Sequence, residues 1–205
     1  MPRCKPLHNF IMRFLYVLII FIVTPLVLKG QVIIVEEGHG VGPLRLGQSF
    51  EEVVNILGFG GDLKTYDDYL AEELFSEEPE IALECAIGFE YYVKYEHLLT
   101  LPVSYVFFKD NKINQIKVSS FPAYYFAIAK DTKTKDGLNF WDESNRVVDI
   151  YGSPDLRVNY EGFILDSYFY FENGITVNMR ENNYRSAHIY LRPDQDVIEG
   201  FSKEF

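Results

Sequence analysis

Two stretches of this sequence, Leu44–Gly58 (LRLGQSFEEVVNILG) and Leu138–Gly152 (LNFWDESNRVVDIYG), follow one pattern at a spacing of 94 residues. Both close with Val-Val-x-Ile, one further apolar residue and a glycine, position by position. Similarity at a fixed spacing is the sequence signature of a repeated structural unit. We therefore predict two degenerate copies of one unit, spanning residues 31–122 and 123–205.

Each copy predicts a short amphipathic helix. Ser49 followed by Glu52 has the spacing of a capping box at a helix start, and Asp142 or Ser144 is the candidate cap in the second copy. The closing glycine of each stretch is able to take the positive φ that ends a helix. The apolar residues of the first copy then share one helical face: Phe50, Val53, Val54 and Leu57.

Both copies continue into segments with strand patterns, separated by turn signals such as Asn-Gly. These segments are Phe89–Glu96, the hairpin Val103–Phe108 with Ile113–Val118 around Asp110 and Asn111, the hairpin Tyr168–Phe171 with Ile175–Met179 around Asn173 and Gly174, and Ala187–Leu191. An insertion with helical spacing at Leu63, Tyr66, Leu70 and Leu74 has no counterpart in the second copy. Helices followed by antiparallel strands in each half predict an α+β fold.

The amino terminus has the order of a secretory signal, with basic residues before the uncharged run Phe14–Leu28. As a helix these 15 residues would rise about 22 Å, which is short of the ~30 Å core of a bilayer. Residues 1–30 are therefore predicted to be a removable signal peptide. Because the residues before Gly30 suit cleavage poorly, a membrane anchor is the alternative. Either reading places the body of the chain in the periplasm or outside the cell, and membrane contact is confined to residues 14–28.

The charge of the chain limits its partners. The full chain carries a formal net charge of −11, and removal of residues 1–30 takes away four basic residues and no acidic one, leaving −15. Such a surface repels nucleic acid and anionic lipid. An acidic surface keeps an exported protein soluble. If the surface selects a partner by charge, that partner is basic. The predicted partner is another protein.

The residue types that carry most chemistry are dispersed. After the targeting segment His39, His97 and His188 lie in separate regions without metal-ligand spacing, and we interpret them as surface or strand-end side chains. Cys85, in the apolar stretch Ile81–Ile87, is predicted to be a buried small side chain. No G-x-S-x-G motif or phosphate loop is present in the sequence. The sequence thus predicts no catalytic residue, no metal site and no cofactor.

One strand offers a candidate surface for a partner. Side chains alternate between the faces of a strand, so Tyr168 and Tyr170 face one side while Phe169 and Phe171 face the other. A two-residue turn pairs Tyr170 with Val177 and exposes the phenylalanines, whereas a three-residue turn exposes the tyrosines. The exposed pair is the candidate protein-binding patch. The alternative is that packing between the two halves covers it.

The stretch Gly40–Gly58 and its counterpart Gly137–Gly152 resemble the opening unit of a bacterial superfamily. Its members include the β-lactamase-inhibitory proteins and the small outer-membrane assembly lipoproteins, and some immunity-type proteins contain similar segments. The resemblance implies that each unit packs helices on one face of an antiparallel sheet, and that an aromatic sheet face binds another protein. This chain lacks the lipidation cysteine and the disulfides of those relatives, so no binding residue is carried over.

Three functions are compatible with these features. The leading hypothesis is an exported, non-enzymatic protein-binding or envelope-assembly protein. The second is an immunity or inhibitor protein that neutralises a secreted toxin or hydrolase. The third is an enzyme whose site is assembled from dispersed carboxylates.

Overall fold

The computed structural model describes residues 32–59, 61–73, 79–95, 103–119, 132–160, 165–180 and 183–204. Across these ranges the chain forms five helices and two sheets. The helices are α1 (Phe50–Leu57), α2 (Tyr66–Glu73), α3 (Pro79–Ile87), α4 (Ser144–Tyr151) and α5 (Gln195–Glu204). The strands are β1 (Ile33–Glu36), β2 (Gly40–Val41), β3 (Leu44–Arg45), β4 (Leu63–Thr65), β5 (Tyr91–Tyr95), β6 (Val103–Lys109), β7 (Lys112–Ser119), β8 (Thr132–Thr134), β9 (Leu156–Tyr160), β10 (Leu165–Tyr170), β11 (Ile175–Arg180) and β12 (Asn183–Tyr190).

The large sheet is antiparallel and has the strand order β4-β5-β6-β7-β12-β11-β10-β9. Its two halves are contributed by the two halves of the chain, and they meet where β7 pairs with β12. A smaller sheet has the order β3-β2-β1-β8, with β1 and β8 parallel. The predicted α+β class is confirmed.

Both faces of the large sheet are covered. On the first face, α1 and α4 and the small sheet contribute Val53, Val147 and Val35 to one apolar core with the inward side chains of the strands. On the second face, Tyr69 of α2, Leu83 of α3 and Phe201 of α5 are buried against the strands. The protein is thus layered on both sides of its sheet, which the alternating strand patterns alone did not predict.

The first helix begins and ends as its sequence predicts. Ser49 Oγ accepts a hydrogen bond from the Glu52 amide at 3.3 Å, and the Glu52 carboxylate accepts one from the Ser49 amide at 2.7 Å. Gly58 follows the helix with a φ of 79°.

The start of the second helix differs from its prediction. The residue before α4 is Glu143, which makes no side-chain capping bond. The capping role expected of Asp142 or Ser144 is therefore wrong. Asp142 instead accepts a hydrogen bond from the Asn139 amide at 2.7 Å, because it belongs to the turn that precedes the helix.

Hairpin β6–β7 matches its prediction, and hairpin β10–β11 differs from it. Asp110 and Asn111 form the two-residue turn of the first hairpin with φ values of 53° and 58°, as a turn that matches strand twist requires. In the second hairpin Tyr170 pairs with Ile175, so the connection has four residues and neither expected register is correct. The shift from the two-residue register is two positions. Because side chains alternate with a period of two, this shift leaves each side chain on the face that the two-residue turn predicts.

The insertion after α1 is built differently from the single helix that its spacing predicts. Leu63–Thr65 forms the edge strand β4, and the helix begins only at Tyr66. A further helix, α3, covers the apolar stretch that contains Cys85. Residues 121–136, which the sequence predicts to join the two halves ending in a polar linker at Lys130–Asp136, include the strand β8, so that end is not simply a linker. Leu74 and residues 121–131 lie outside the described residues.

Candidate functional site

All four side chains of the candidate aromatic patch are buried, with at most 3% of their surface exposed. Tyr168 and Tyr170 join the core on the α1 and α4 side. Phe169 and Phe171 pack on Phe201 of α5, with ring centroids 5.1 and 6.3 Å apart. The expectation that one pair is exposed is therefore wrong. Helix α5 covers the phenylalanine pair, whereas packing between the two halves was the expected alternative.

A buried ion pair lies on the second face of the sheet. Lys117 Nζ of β7 is 3.3 Å from a carboxylate oxygen of Glu84 on α3, and both side chains are buried. The hydroxyl of Tyr69 on α2 donates to the other carboxylate oxygen of Glu84. Charges removed from water are stable only when they are paired and hydrogen-bonded. This cluster therefore fixes the two insertion helices against the centre of the sheet.

His188 of β12 extends the cluster across the sheet. It pairs in register with Lys117, and its Nε2 lies 2.9 Å from the amide oxygen of Gln115. Gln115 in turn donates to the carbonyl oxygens of Glu84 and Gly88 on and after α3. Burial, assisted by the Lys117 ammonium, lowers the pKa of His188 well below its ordinary value of 6.5. The imidazole is therefore neutral at physiological pH.

The interpretation of His188 as a surface or strand-end side chain is wrong, because it is fully buried in the middle of β12. His39 is exposed in the turn after β1, and His97 lies outside the described residues. No sequence motif signals the cluster, because its members come from four separate elements. The described members of the cluster are buried, and the cluster orders α2 and α3 on the sheet.

Neither the free cysteine nor the described acidic side chains form a reactive site. Cys85 is partly buried rather than fully buried, and burial raises the pKa of its thiol above the ordinary value. It is therefore a neutral thiol at physiological pH. At the start of α2, the Asp68 carboxylate accepts a hydrogen bond from the Thr65 amide at 2.7 Å and the Asp68 amide donates to Thr65 Oγ1 at 3.3 Å, which is the arrangement of a capping box. In the part of the chain that the structure describes, no group of three His, Cys, Asp or Glu side chains is placed to hold a metal ion.

A polar cleft of about 500 Å³ opens where the turns after β1, β8 and β10 meet. Two of its four carboxylates form ion pairs: Glu36 with Arg45 at 3.2 Å, and Glu172 with Arg192 at 2.7 Å. Glu37 accepts a hydrogen bond from the Tyr151 hydroxyl. Four acidic residues line the cleft against two basic ones, Lys135 and Arg192, so its surface is acidic.

Half of the large exposed apolar side chains lie in one short stretch of the chain. The described chain exposes six of them: Val32, Ile56, Phe59, Leu63, Val148 and Leu191. Three lie within eight residues, at the end of α1 and the start of β4. Phe59 is 70% exposed, and its ring meets that of Phe50 edge-on at 6.3 Å. We call Ile56, Phe59 and Leu63 the α1–β4 edge.

Exposed acidic side chains flank the α1–β4 edge in the sequence. Glu51 and Glu52 are exposed in the first turn of α1, and Asp62 is exposed directly before β4. Lys64 is the one basic residue of the sequence between positions 50 and 65. An apolar patch with a charged rim is the usual composition of a protein-binding surface.

No family model, curated protein or solved structure matches this chain. A search of the described residues finds no helix that is both long and apolar enough to cross a membrane.

Proposed function

We propose that this chain is a non-enzymatic protein-binding protein that acts outside the cytoplasm. We also propose that its body consists of two degenerate units, residues 31–122 and 123–205, which share one sheet. The charged-then-apolar amino terminus supports the location. Repeated details of backbone geometry support the two units.

The turn before each helix has the same unusual conformation. Gly47 has a φ of 88°, and Trp141, 94 residues later, has a φ of 81°. Such a conformation is uncommon for any residue other than glycine. The Gly47 amide donates to the Ile113 carbonyl at 2.7 Å, and the Trp141 amide donates to the Tyr184 carbonyl at 2.9 Å. Each turn is thereby bound to the last strand of its own half of the sheet.

The same turn is closed by the same hydrogen bond. The side-chain oxygen of Gln48 accepts from the Arg45 amide at 2.8 Å. The side-chain oxygen of Asp142 accepts from the Asn139 amide at 2.7 Å. Both pairs keep the 94-residue spacing, so two different side chains make the equivalent hydrogen bond that closes the turn.

The inner hairpins also correspond. The register of β6 on β7 shifts by one residue at Asn114, and that of β11 on β12 shifts at Arg185. These bulges lie 71 residues apart, and so do Lys117 and His188, which pair with each other where the halves meet. Two equivalent strands that pair antiparallel at equivalent residues are related by a local two-fold axis.

The repeated turn is the observation that carries the proposal. Because it is a feature of the backbone and does not depend on residue identity, it supports a tandem architecture. Tandem members of the superfamily that the sequence resembles have this architecture, and they bind other proteins. The aromatic faces are closed in this chain, so we place the partner on a different surface. Fold alone does not define a function, and a binding experiment is therefore required.

The test uses the tagged full chain, expressed in its producing cells and crosslinked before recovery from the envelope and culture fluid. We expect one protein partner in a stoichiometric ratio. The control is a chain without residues 1–30, which stays in the cytoplasm and should recover no such partner. Repeated recovery of the chain alone after crosslinking would reject the proposed function.

A further inference from the structure

We propose that the α1–β4 edge is the partner-binding surface, and that it receives an apolar side chain of another protein flanked by lysine or arginine. This inference rests on the proposed two-unit binding function and names its surface and its partner class. It follows from a comparison of the two units within the molecule.

The second unit has polar residues at two of the three equivalent positions; the counterpart of Ile56 is Ile150. Phe59 and Ser153 each directly follow the glycine that ends their helix, and those glycines have φ values of 79° and 78°. Leu63, which its helical spacing assigns to an insertion without a counterpart, has one here: Leu63 and Arg157 are again 94 residues apart and lie on the two edge strands β4 and β9. Ser153 and Arg157 are solvated, as an edge strand ordinarily is. The fold therefore does not require apolar residues at Phe59 and Leu63.

The exposed apolar residues of the first unit make unwanted association with other chains more favourable, and the second unit lacks this risk at its edge strand. Unpaired edge strands with apolar side chains invite association with other chains, and proteins usually place charged residues there. The second unit does so with Arg157, which forms an ion pair with Asp166 at 2.8 Å. The first unit instead presents Phe59 and Leu63, as expected of a surface that binds another protein.

Charge selects the kind of partner. Glu51 and Glu52 border the α1–β4 edge, whereas the equivalent residues of the second unit are Asn145 and Arg146. An acidic first helical turn is therefore specific to the first unit, whereas the second unit carries exposed carboxylates at Glu143, before the helix, and at Asp149, within it. A second copy of this chain carries a net charge of −11 and is repelled, as is an anionic membrane. A partner segment with an apolar side chain flanked by basic residues complements both the apolar residues of this edge and the acidic residues near it.

The first test places a photo-crosslinking phenylalanine analogue at position 59 of the full chain in its producing cells. The same analogue at position 191 is the control, because Leu191 is 54% exposed and distant in sequence. We expect a protein adduct at 59 that is absent at 191, joined to a segment with an apolar residue among lysines or arginines. Adducts with a second copy, with lipid or with an acidic segment would overturn the inference, and so would equal yields at both positions.

The second test measures binding of the crosslinked partner to purified variants. Phe59→Ser and Leu63→Arg install the residues that the second unit already accommodates, and unfolding curves show that each variant is folded. We expect each to bind about tenfold more weakly or worse, since each removes a large apolar contact. Leu191→Ser should bind like the wild type. Binding should weaken as NaCl rises from about 50 to about 500 mM.

The two proposals fail differently. If Phe59→Ser binds as tightly as Leu191→Ser, the α1–β4 edge is not the binding surface, although a recovered partner would leave the proposed function intact. If no partner is recovered from cells, the proposed function itself fails.

Discussion

Replacement of Lys117 by methionine should destabilise the protein strongly, because it leaves the Glu84 carboxylate buried without its cation. Methionine preserves most of the length and volume of the side chain, so the change is chiefly one of charge. The Tyr69 hydroxyl still donates to Glu84 in this variant. One hydrogen bond does not replace an opposite charge in a buried site.

The magnitude follows from the geometry of the pair. Opposite charges 3.3 Å apart attract by about 5 kcal/mol at an effective dielectric constant of 20. Desolvation of each ion offsets several kcal/mol of that attraction, so the intact pair contributes little net stability. Removal of one partner alone is different and costs about 3–5 kcal/mol. For a domain of this size the melting temperature should fall by about 10 °C.

The assay is thermal and urea unfolding of Lys117→Met, of Glu84→Gln, and of the double variant. The double variant should recover most of the loss, because neither charge is then left alone. Arg192→Met is the matched control, since its ion pair with Glu172 is shorter, at 2.7 Å, but exposed. It should cost no more than about 1 kcal/mol. Equal losses for Lys117→Met and Arg192→Met would refute the argument from burial.

Four further substitutions test other parts of the fold. Because the folded protein lowers the pKa of His188 below 6.5, the unfolded chain binds the extra proton. Wild-type stability should therefore fall by about 1.4 kcal/mol per pH unit below pH 6.5, down to the folded pKa. His188→Gln should lose that part of the slope in unfolding curves. Ser49→Ala should cost about 1 kcal/mol in the same assay by removing the α1 cap, and no loss would exclude the capping box. Gly174→Ala should unfold most readily, since an added Cβ would lie 2.3 Å from the Tyr190 carbonyl oxygen at a φ of 66°. Gly200→Ala, with open space around it in α5, should gain up to about 1 kcal/mol, and equal effects of the two would contradict this account.

Features decided by local chemistry were predictable from the sequence. The capping box at Ser49, the glycine after α1 and the Asp110-Asn111 turn depend on residues within four positions of each other. Each has a strong intrinsic preference, so the tertiary structure had no need to override it. The helix of the second copy was predicted for the same reason, although its cap was not.

Features decided by distant packing were not predictable. Tyr92 interrupts the alternation of β5, yet the interruption is the signal of a strand buried on both faces: Tyr92 packs under α2, and Val93 joins the opposite core. The same double burial hides the aromatic strand around Phe169. A pattern that assumes one solvated face cannot assign such residues, because continuous apolar runs suit strands covered on both sides.

The centre of the sheet shows how two equivalent positions acquire different chemistry. On the proposed two-unit architecture Lys117 and His188 are counterparts, and they pair directly across the junction of the halves. Two adjacent buried cations would repel each other, so only one of them is able to keep its charge. The insertion of the first unit decides which one, because α3 places the Glu84 carboxylate 3.3 Å from Lys117 and leaves His188 with the neutral amide of Gln115. The same insertion separates β4 from β5 in the chain, and it distinguishes the first edge of the sheet from the second. The asymmetry of the buried centre and that of the surface edge therefore both belong to the first unit. For that reason we expect binding to be lost on changes in the α1–β4 edge and retained on equivalent changes in the second unit.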